Sequence, residues 1–442
     1  MGDHVFRYEG YDILPAKGLV RLTYSCSGEQ FVETVTLDGA DWDAPGADAA
    51  ARLLFFLAGV SYYKAFAPPV VDLGDHPVPA GFRAFLRSYY RNGLGEFAFR
   101  NDLDLRDLTV VGGTDTPAAA SAPTTDAPPS TRPLVPFGGG MDSIVSVELV
   151  KAVTPDAALF VVSRPADRFE AIERAAAVTG LPVVRAGREL DPKILRSAEL
   201  GYLNGHVPVT AVVSAIAVLA AVTTGRDAVV MSNEWSASAG NVAHLGEDVN
   251  HQWSKGIDFE RGVRAVLDSL LGPRPDYFSL LRPFSELWIA RCFAALPGYL
   301  TEFRSCNRAF HLDPARRLDH WCGRCDKCAF IDLVLSPFVP AADLAAVFRG
   351  DEPLANPAML DQLRALIGGG AAKPFECVGD VDECRAAVVL AADRPDRAGN
   401  PVLGALVAEL DVDQVRASVD RFLAPLGAHF VPGPYAAAAG LE

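Results

Sequence analysis

A glycine-rich segment in the first half of the sequence has residue types that bind phosphate. Between a short apolar run and a helical pattern stand Gly138, Gly139, Gly140, Met141, Asp142 and Ser143. Glycines let backbone N–H groups approach an anion closely, and the start of a helix adds a favourable dipole. The Ser143 hydroxyl can donate to a phosphate oxygen, whereas Asp142 suits Mg²⁺ binding or anchoring of the loop. The segment predicts a nucleotide polyphosphate site, with an ordinary glycine turn as the alternative.

Four cysteines are spaced as metal ligands. Cys322, Cys325 and Cys328 are separated by two residues each, and Cys306 lies upstream. Four thiolates at such spacings can form a tetrahedral zinc site, and a site with four protein ligands is closed and structural. An iron–sulfur cluster, or no metal, is the alternative. The remaining cysteines are scattered, and we predict that they are core thiols: Cys26, Cys292, Cys377 and Cys384.

Three further segments mix polar and aromatic residues densely. They are residues 232–236 (SNEWS), 250–255 (NHQWSK) and 282–288 (RPFSELW). This composition suits a pocket that holds a polar ligand and partly excludes water. A surface loop with a packed tryptophan is the alternative for any single segment. Because all three are predicted near one edge of a sheet, we expect them to share a pocket.

The elements that must position these residues follow a regular order. Residues 134–345 alternate between predicted strands and helices, which indicates an α/β fold with a doubly wound parallel sheet. Ligands of such sheets bind at the carboxyl ends of the strands. Arg164 follows the strand predicted at 157–163 and is therefore a candidate nucleotide contact, with a solvated loop arginine as the alternative.

Composition divides the chain into four parts. Residues 1–112 mix strand-like and helical runs and predict a smaller, separate α+β domain. Residues 113–133 are small, polar and proline-rich, which predicts a flexible linker. Residues 134–345 form the predicted catalytic domain with the four-cysteine site, and residues 346–442 an alanine-rich helical extension.

Charge and hydropathy exclude several classes of protein. The net charge of −15 disfavours a general nucleic-acid surface, because phosphates would be repelled. The first residues lack the basic and apolar regions of a signal peptide. The uncharged run at 207–225 approaches the length of a membrane span, but it is rich in small and hydroxyl residues and predicts a buried helix. We therefore expect a cytoplasmic protein without nucleic-acid or membrane partners.

The glycine loop is not a Walker loop, since GxxxxGK[ST] is absent from it. It resembles the SGGxDS loop of the N-type ATP pyrophosphatases, with Gly138 at the usual serine position. Together with the downstream cysteines it is similar to the 7-cyano-7-deazaguanine synthases, which contain zinc and adenylate a carboxylate. This resemblance covers residues 134–335. It implies an adenine nucleotide α-hydrolase-like fold, ATP and Mg²⁺ as cofactors, and a structural zinc ion.

The loop and the three polar–aromatic segments together resemble the UDP-N-acetylmuramoyl-L-alanyl-L-glutamate epimerases of the MurL type, over the whole chain. The resemblance implies ATP-dependent conversion of the terminal L-glutamate of a peptidoglycan precursor to D-glutamate, with release of AMP and pyrophosphate. The small-molecule substrate would be UDP-linked muramoyl dipeptide. Carboxylate adenylation by a deazaguanine-synthase-like ligase and a non-enzymatic zinc-ribbon binding module are the alternatives.

This chemistry needs titratable groups near the glutamyl Cα. His251 is the first candidate for proton transfer, followed by Lys255 and Glu234, although each side chain also suits a hydrogen-bonding, surface or Mg²⁺-binding role. Arg282 is a candidate for a substrate carboxylate or phosphate, because its planar fork suits both. The aromatic and amide candidates for substrate contact are Asn233, Trp235 and Trp253.

Overall fold

The strands of the protein have the apolar and alternating patterns that favour β structure. The computed structural model describes residues 4–117, 130–240, 242–311, 313–370 and 376–441. In chain order its strands are β1 (Val5–Leu14), β2 (Leu19–Cys26), β3 (Glu29–Leu37), β4 (Val70–Asp72), β5 (Pro77–Pro79), β6 (Thr109–Val111), β7 (Thr114–Thr116), β8 (Pro133–Pro136), β9 (Ala158–Ser163), β10 (Val183–Glu189), β11 (Ala228–Met231), β12 (Val242–His244), β13 (Glu247–Val249) and β14 (Asp276–Ser279). All four residues of β11 are buried, as expected of a parallel strand covered on both faces.

The helices cover both faces of the sheet and form the C-terminal part of the chain. They are α1 (Ala47–Ala58), α2 (Val60–Tyr63), α3 (Phe82–Gly93), α4 (Gly95–Arg100), α5 (Met141–Val153), α6 (Glu170–Thr179), α7 (Pro192–Leu195), α8 (Ser197–Leu200), α9 (Val209–Thr223), α10 (Ile257–Leu271), α11 (Glu286–Ala294), α12 (Asp326–Leu335), α13 (Ala341–Val347), α14 (Leu360–Leu366), α15 (Val381–Ala392), α16 (Pro401–Val407), α17 (Val412–Phe422) and α18 (Gly433–Ala438). Helix α6 is followed by Gly180, whose φ of 71° gives a left-handed cap that glycine adopts readily.

Five parallel strands form one half of the main sheet, in the order β14-β11-β8-β9-β10. The chain builds outward from β8 in one direction and then returns to add β11 and β14 on the other side. The strand order therefore reverses between β8 and β11, and a crevice opens at the carboxyl ends of these two strands. The predicted α/β class with a parallel sheet is confirmed, and the crevice lies where the glycine loop begins.

The N-terminal strands extend this sheet instead of forming one of their own. Strand β3 pairs antiparallel with β10, with Leu37 opposite Ala186, and the ten-stranded sheet continues through β2, β1, β4 and β6. Without β3, β10 would be an edge strand with unpaired N–H and C=O groups. Strand β3 supplies the hydrogen-bond partners of these groups. Helix α1 also packs against α9. The region expected to be a separate domain therefore shares both sheet and core with the rest.

The uncharged run predicted to be a buried helix is α9, whose residues are mostly buried against the N-terminal core. In the part of the chain that the structure describes, no helix is long and apolar enough to cross a membrane. The predicted linker is described only at its ends, where β7 pairs with β5 and Ser130 accepts a hydrogen bond from Tyr435. Its central residues, 118–129, lie outside the described ranges.

The C-terminal helices pack on the parallel half of the sheet. The Ser285 hydroxyl donates to the carbonyl oxygen of Phe422 at 2.6 Å, and the amide of Leu426 donates to the carbonyl oxygen of Pro283. Helix α18 lies against α5, the helix that follows the glycine loop. This packing brings the segment before α15, which contains Cys377, to the crevice.

Candidate active site

A cavity of about 460 Å³ lies at the carboxyl ends of β8 and β11. Its wall is formed by the glycine loop, the end of β11, two lysines and a segment from the C-terminal extension. The residues on which the chemistry depends are Gly138, Gly140, Asp142, Ser143, Ser232, Asn233, Lys255, Ser305, Lys327 and Cys377. The structure thus brings the predicted phosphate loop together with residues 232–233 and Lys255, as expected from a shared sheet edge.

The glycine loop begins helix α5 at this wall. Gly140 is the N-cap residue, and the Ser143 hydroxyl donates to its carbonyl oxygen at 3.0 Å. Gly139 has a φ of 73°, and a Cβ atom there would lie 2.7 Å from the carbonyl oxygen of Ala171. Only glycine fits that position without displacing backbone, whereas a Cβ at Gly138 would have no heavy atom within 4 Å. The loop is therefore held tightly at Gly139 and open at Gly138.

Three carboxylates converge beside the loop. Asp142, Glu234 and Glu286 each place an oxygen within 4.8 Å of the other two. Glu234 and Glu286 are both 2% exposed, and the Oε2 atom of each is buried without a hydrogen-bond partner among the described residues. Burial and then the charge of Asp142 raise the pKa of Glu286 well above its usual value. Burial and then Glu234 raise the pKa of Asp142. Buried oxygens without partners can hold a hard cation.

Two lysines offset this negative charge. Burial disfavours the charged form of Lys327, but Glu286 and Asp142 outweigh it, so that its pKa is raised. Burial likewise opposes the charge of Lys255, but the negative charges of Cys377 and Glu234 raise its pKa. In the sequence Lys327 stands within the cysteine cluster, between Cys325 and Cys328. The structure turns its side chain into the cavity wall, where a phosphate or carboxylate can meet it.

Arg282 makes its hydrogen bonds within the protein. Its Nε donates to Glu260 at 2.9 Å, and the two side chains are 2% and 1% exposed. Its other nitrogens donate to the carbonyl oxygens of Glu234 and Lys255. The side chain that we expected to bind substrate therefore fastens together the two loops that carry candidate residues. Both loops would lose this support without the guanidinium.

The other predicted residues are distributed around the site. Asn233 is buried at the cavity and donates to the Ser279 hydroxyl at 3.0 Å. Trp235 packs on the C-terminal extension, with its ring centroid 6.5 Å from that of Phe422. Trp253 lines a neighbouring cavity of about 380 Å³. Arg164 is exposed at the turn after β9. Of these four side chains, only Asn233 lines the cavity of the glycine loop.

His251 lies behind the cavity wall and connects three regions of the chain. Its Nδ1 is 2.7 Å from the Oε2 atom of Glu96, in α4 of the N-terminal region, and it also hydrogen bonds with Cys377. Sequence reasoning did not identify Glu96, and it placed Cys377 among core thiols. The structure corrects the assignment of Cys377, because the packing of the C-terminal extension places this thiol on the cavity. Its flanking sequence carries no motif that predicts this.

The four predicted metal ligands meet in space. The Sγ atoms of Cys306, Cys322, Cys325 and Cys328 all lie within 4.8 Å of one another. Sγ of Cys328 is 3.6 Å from that of Cys322 and 3.5 Å from that of Cys325. A tetrahedral zinc ion with Zn–S bonds of about 2.3 Å separates its sulfurs by about 3.8 Å. The cluster can therefore hold a metal such as zinc.

Gly323 makes this arrangement possible. Its φ is 65°, and a Cβ there would lie 2.2 Å from the carbonyl oxygen of Asp351. The chain can turn between Cys322 and Cys325 only because this position lacks a side chain.

The fold and the site define an α/β protein with a glycine-rich loop and buried carboxylates and lysines around one cavity. Comparison with known proteins gives its family. The model of the MurL N-terminal domain matches residues 2–280, and that of the MurL C-terminal domain matches residues 302–420. The chain therefore belongs to the MurL epimerase family.

Three relatives match almost the whole chain, and each is called UDP-N-acetyl-alpha-D-muramoyl-L-alanyl-L-glutamate epimerase. The protein of Xanthomonas oryzae pv. oryzae is 38% identical over 97% of this chain and 95% of its own length. That of Salinispora tropica is 39% identical over 98% and 95%, and that of a Micromonospora species 38% over 98% and 97%. No solved structure gave a significant match.

Proposed function

We propose that the protein is an ATP-dependent epimerase that converts the terminal L-glutamate of UDP-MurNAc-L-Ala-L-Glu to D-glutamate, in the synthesis of peptidoglycan precursors. The observation that carries the proposal is the 38–39% identity to three proteins of this name over at least 97% of the chain. A cavity with both an anion loop and titratable side chains supports it. The use of ATP suits a cytoplasmic enzyme.

The chemistry explains why such an enzyme needs ATP. The α-proton of a glutamyl residue beside a carboxylate is barely acidic, because its removal would create a dianion. Adenylation neutralises the carboxylate and supplies an electron sink for the pair left at Cα. In this proposal the loop from Gly138 to Ser143 holds the polyphosphate while the carboxylate attacks the α-phosphorus. Pyrophosphate leaves at this step, and AMP leaves when the acyl-adenylate is hydrolysed.

Two metal sites belong to the proposal. Asp142, Glu234 and Glu286 are suited to hold Mg²⁺, since hard oxygen ligands within 4.8 Å of one another include buried atoms without partners. Mg²⁺ bound there would neutralise part of the negative charge of the phosphates. The four-cysteine cluster would hold zinc as a structural ion, because all four positions of a tetrahedron are taken by protein sulfur. Lys255 and Lys327 provide the protein's own positive charge at the cavity.

Incubation of the protein with ATP, Mg²⁺ and UDP-MurNAc-L-Ala-L-Glu tests the proposal. We expect equimolar AMP and pyrophosphate, together with D-glutamate after hydrolysis of the product and chiral chromatography. ADP and orthophosphate as products would contradict the adenylation scheme. Nucleotide turnover that requires ammonia and a deazapurine carboxylate would instead favour a ligase of the 7-cyano-7-deazaguanine synthase type.

A further inference from the structure

Cys377 occupies a position on the cavity that no sequence motif indicates. It lies between α14 and α15 and shares the cavity with Lys255 and the glycine loop. Lys255 donates from Nζ to Sγ of Cys377 at 3.3 Å. Lys327 holds the same segment, since its Nζ donates to the carbonyl oxygen of Cys377. The thiol is therefore fixed at the wall of the space in which the substrate would react.

A histidine and a carboxylate lie behind this thiol. His251 hydrogen bonds with Cys377, and its Nδ1 is 2.7 Å from Oε2 of Glu96. The Nε of Arg100 donates to the other oxygen of Glu96 at 2.5 Å. With Nδ1 bound to the carboxylate, Nε2 is the nitrogen left for the sulfur. A weak nucleophile or base in contact with an imidazole that a third group orients is the arrangement by which enzymes activate such groups.

The surroundings of Cys377, His251 and Lys255 give these side chains different protonation states at neutral pH. Burial raises the pKa of Cys377, but Lys255 and His251 outweigh it and lower the value to about 7. Burial opposes the charge of His251, but its hydrogen bonds with Cys377 and Glu96 raise its pKa to about 9. Cys292 shows the opposite case, since burial raises its pKa to about 11. At neutral pH, His251 and Lys255 thus hold protons while Cys377 is substantially ionised.

We propose that Cys377 is the base that exchanges the α-proton of the substrate glutamyl residue on one face of Cα, with His251 and Glu96 as its positioning residues. This inference rests on the proposed function. In this proposal Cys377 takes the place of His251 and Lys255 as the direct base, because both of those side chains are protonated at neutral pH whereas the thiolate is not. A group with a pKa near the working pH can both take and return a proton.

The step conserves atoms and charge. The Cys377 thiolate takes the proton from Cα of the adenylated glutamyl residue and becomes a thiol. The electron pair of the C–H bond moves into the bond between Cα and the acyl carbon, and the acyl oxygen becomes an enolate. An acid across the cavity protonates Cα on its opposite face. The thiol then loses its proton to solvent water and the acid across the cavity regains one, which restores the starting state, while His251 keeps its own proton.

The variant Cys377→Ser tests the proposal in full-length protein. With ATP, Mg²⁺ and UDP-MurNAc-L-Ala-L-Glu in D₂O, the unchanged protein should place deuterium at the glutamyl Cα. In the variant we expect epimerisation and deuterium incorporation to fall by about 100-fold or more, the usual contribution of a general base. AMP release should continue, because adenylation does not require the thiol. Cys377→Ala should behave alike.

Cys292→Ser is the matched control, since Cys292 is partly buried on α11 and does not line the cavity. It should retain epimerisation, and thermal melts should show that all three variants fold. Retained deuterium incorporation in folded Cys377→Ser would overturn the role of the thiol. An acid-quenched thioester of the substrate on Cys377, found by mass spectrometry, would also overturn it by making the sulfur a nucleophile. Absence of both AMP and epimerisation in the unchanged protein would instead refute the proposed function.

Discussion

Replacement of Glu96 by glutamine should change the pH dependence of the enzyme without touching the cavity wall. Glu96 and His251 are 8% and 10% exposed, and their contact of 2.7 Å joins a carboxylate to an imidazolium. Burial raises the pKa of Glu96, but hydrogen bonds from His251 and Arg100 outweigh it and lower the value. The amide of glutamine keeps the size and the hydrogen-bonding capacity of the side chain but removes its charge. The change therefore isolates the electrostatic support that His251 receives.

The structure sets both the direction and the size of the effect. A hydrogen bond to a charged partner is stronger than a neutral one by about 1–2 kcal/mol, and 1.4 kcal/mol corresponds to about one pKa unit. The pKa of His251 should fall from about 9 to about 8. Above this value His251 loses the proton that stabilises the Cys377 thiolate. The basic limb of activity should therefore move down by about one unit, and the rate at pH 8.5 should fall several-fold.

The assay is the initial rate of epimerisation between pH 6 and pH 10, measured as kcat/KM. The charged and titratable groups that face His251 are Glu96, Cys377 and His206. Burial and the charge of His251 lower the pKa of His206 to about 4. His206 is thus neutral throughout the range and adds no limb. Glu199→Gln, an equal change at an exposed helix position, should leave the profile unchanged. A Glu96→Gln profile that matches the unchanged protein would refute the proposed link from carboxylate to thiol.

Three further predictions concern the loop and the cysteine cluster. Asp142→Ala should abolish AMP formation, measured by chromatography of nucleotides, because it removes a proposed Mg²⁺ ligand at the start of α5; near-normal turnover would contradict that role. Gly139→Ala should lower the free energy of unfolding by about 2 kcal/mol or more, since its Cβ would meet the backbone of α6, whereas Gly138→Ala should leave the denaturation midpoint unchanged. Metal analysis should find about one zinc per chain. Cys325→Ser should lower both zinc content and melting temperature, and an iron–sulfur absorption band in the unchanged protein would refute the assignment.

Local patterns were enough to predict strands in the parallel half of the sheet, although β14 was not predicted. The apolar run before Gly138 and the strand predicted at 157–163 correspond to β8 and β9, because such runs bury both faces of a strand. The long uncharged helix at 209–223 was also predicted correctly as buried. Strand β1 was not predicted, and the pairing of β3 with β10 could not be, since residues far apart in sequence carry no local signal for their register.

The residues of the candidate site also fall into those that the local sequence identifies and those that it does not. The glycine loop and the spacing of Cys322, Cys325 and Cys328 could be recognised because their chemistry depends on neighbours within a few residues. The environment of Arg282 could not, because an arginine that pairs with Glu260 inside the core has the same sequence appearance as one that binds a ligand. Burial decides between these roles, and burial is a property of the packed chain.

Sequence alone therefore determined the elements whose causes are local: the glycine-rich loop before a helix, the spacing of the cysteines, the α/β order and the family resemblance. The tertiary structure decided which distant side chains meet. Glu96 and His251 are 155 residues apart, and Lys255 and Cys377 are 122 apart. They come together because β3 completes the edge of β10 on one side and the C-terminal helices pack on the other. A contact that depends on two separate packing interfaces leaves no pattern in the residues that make it.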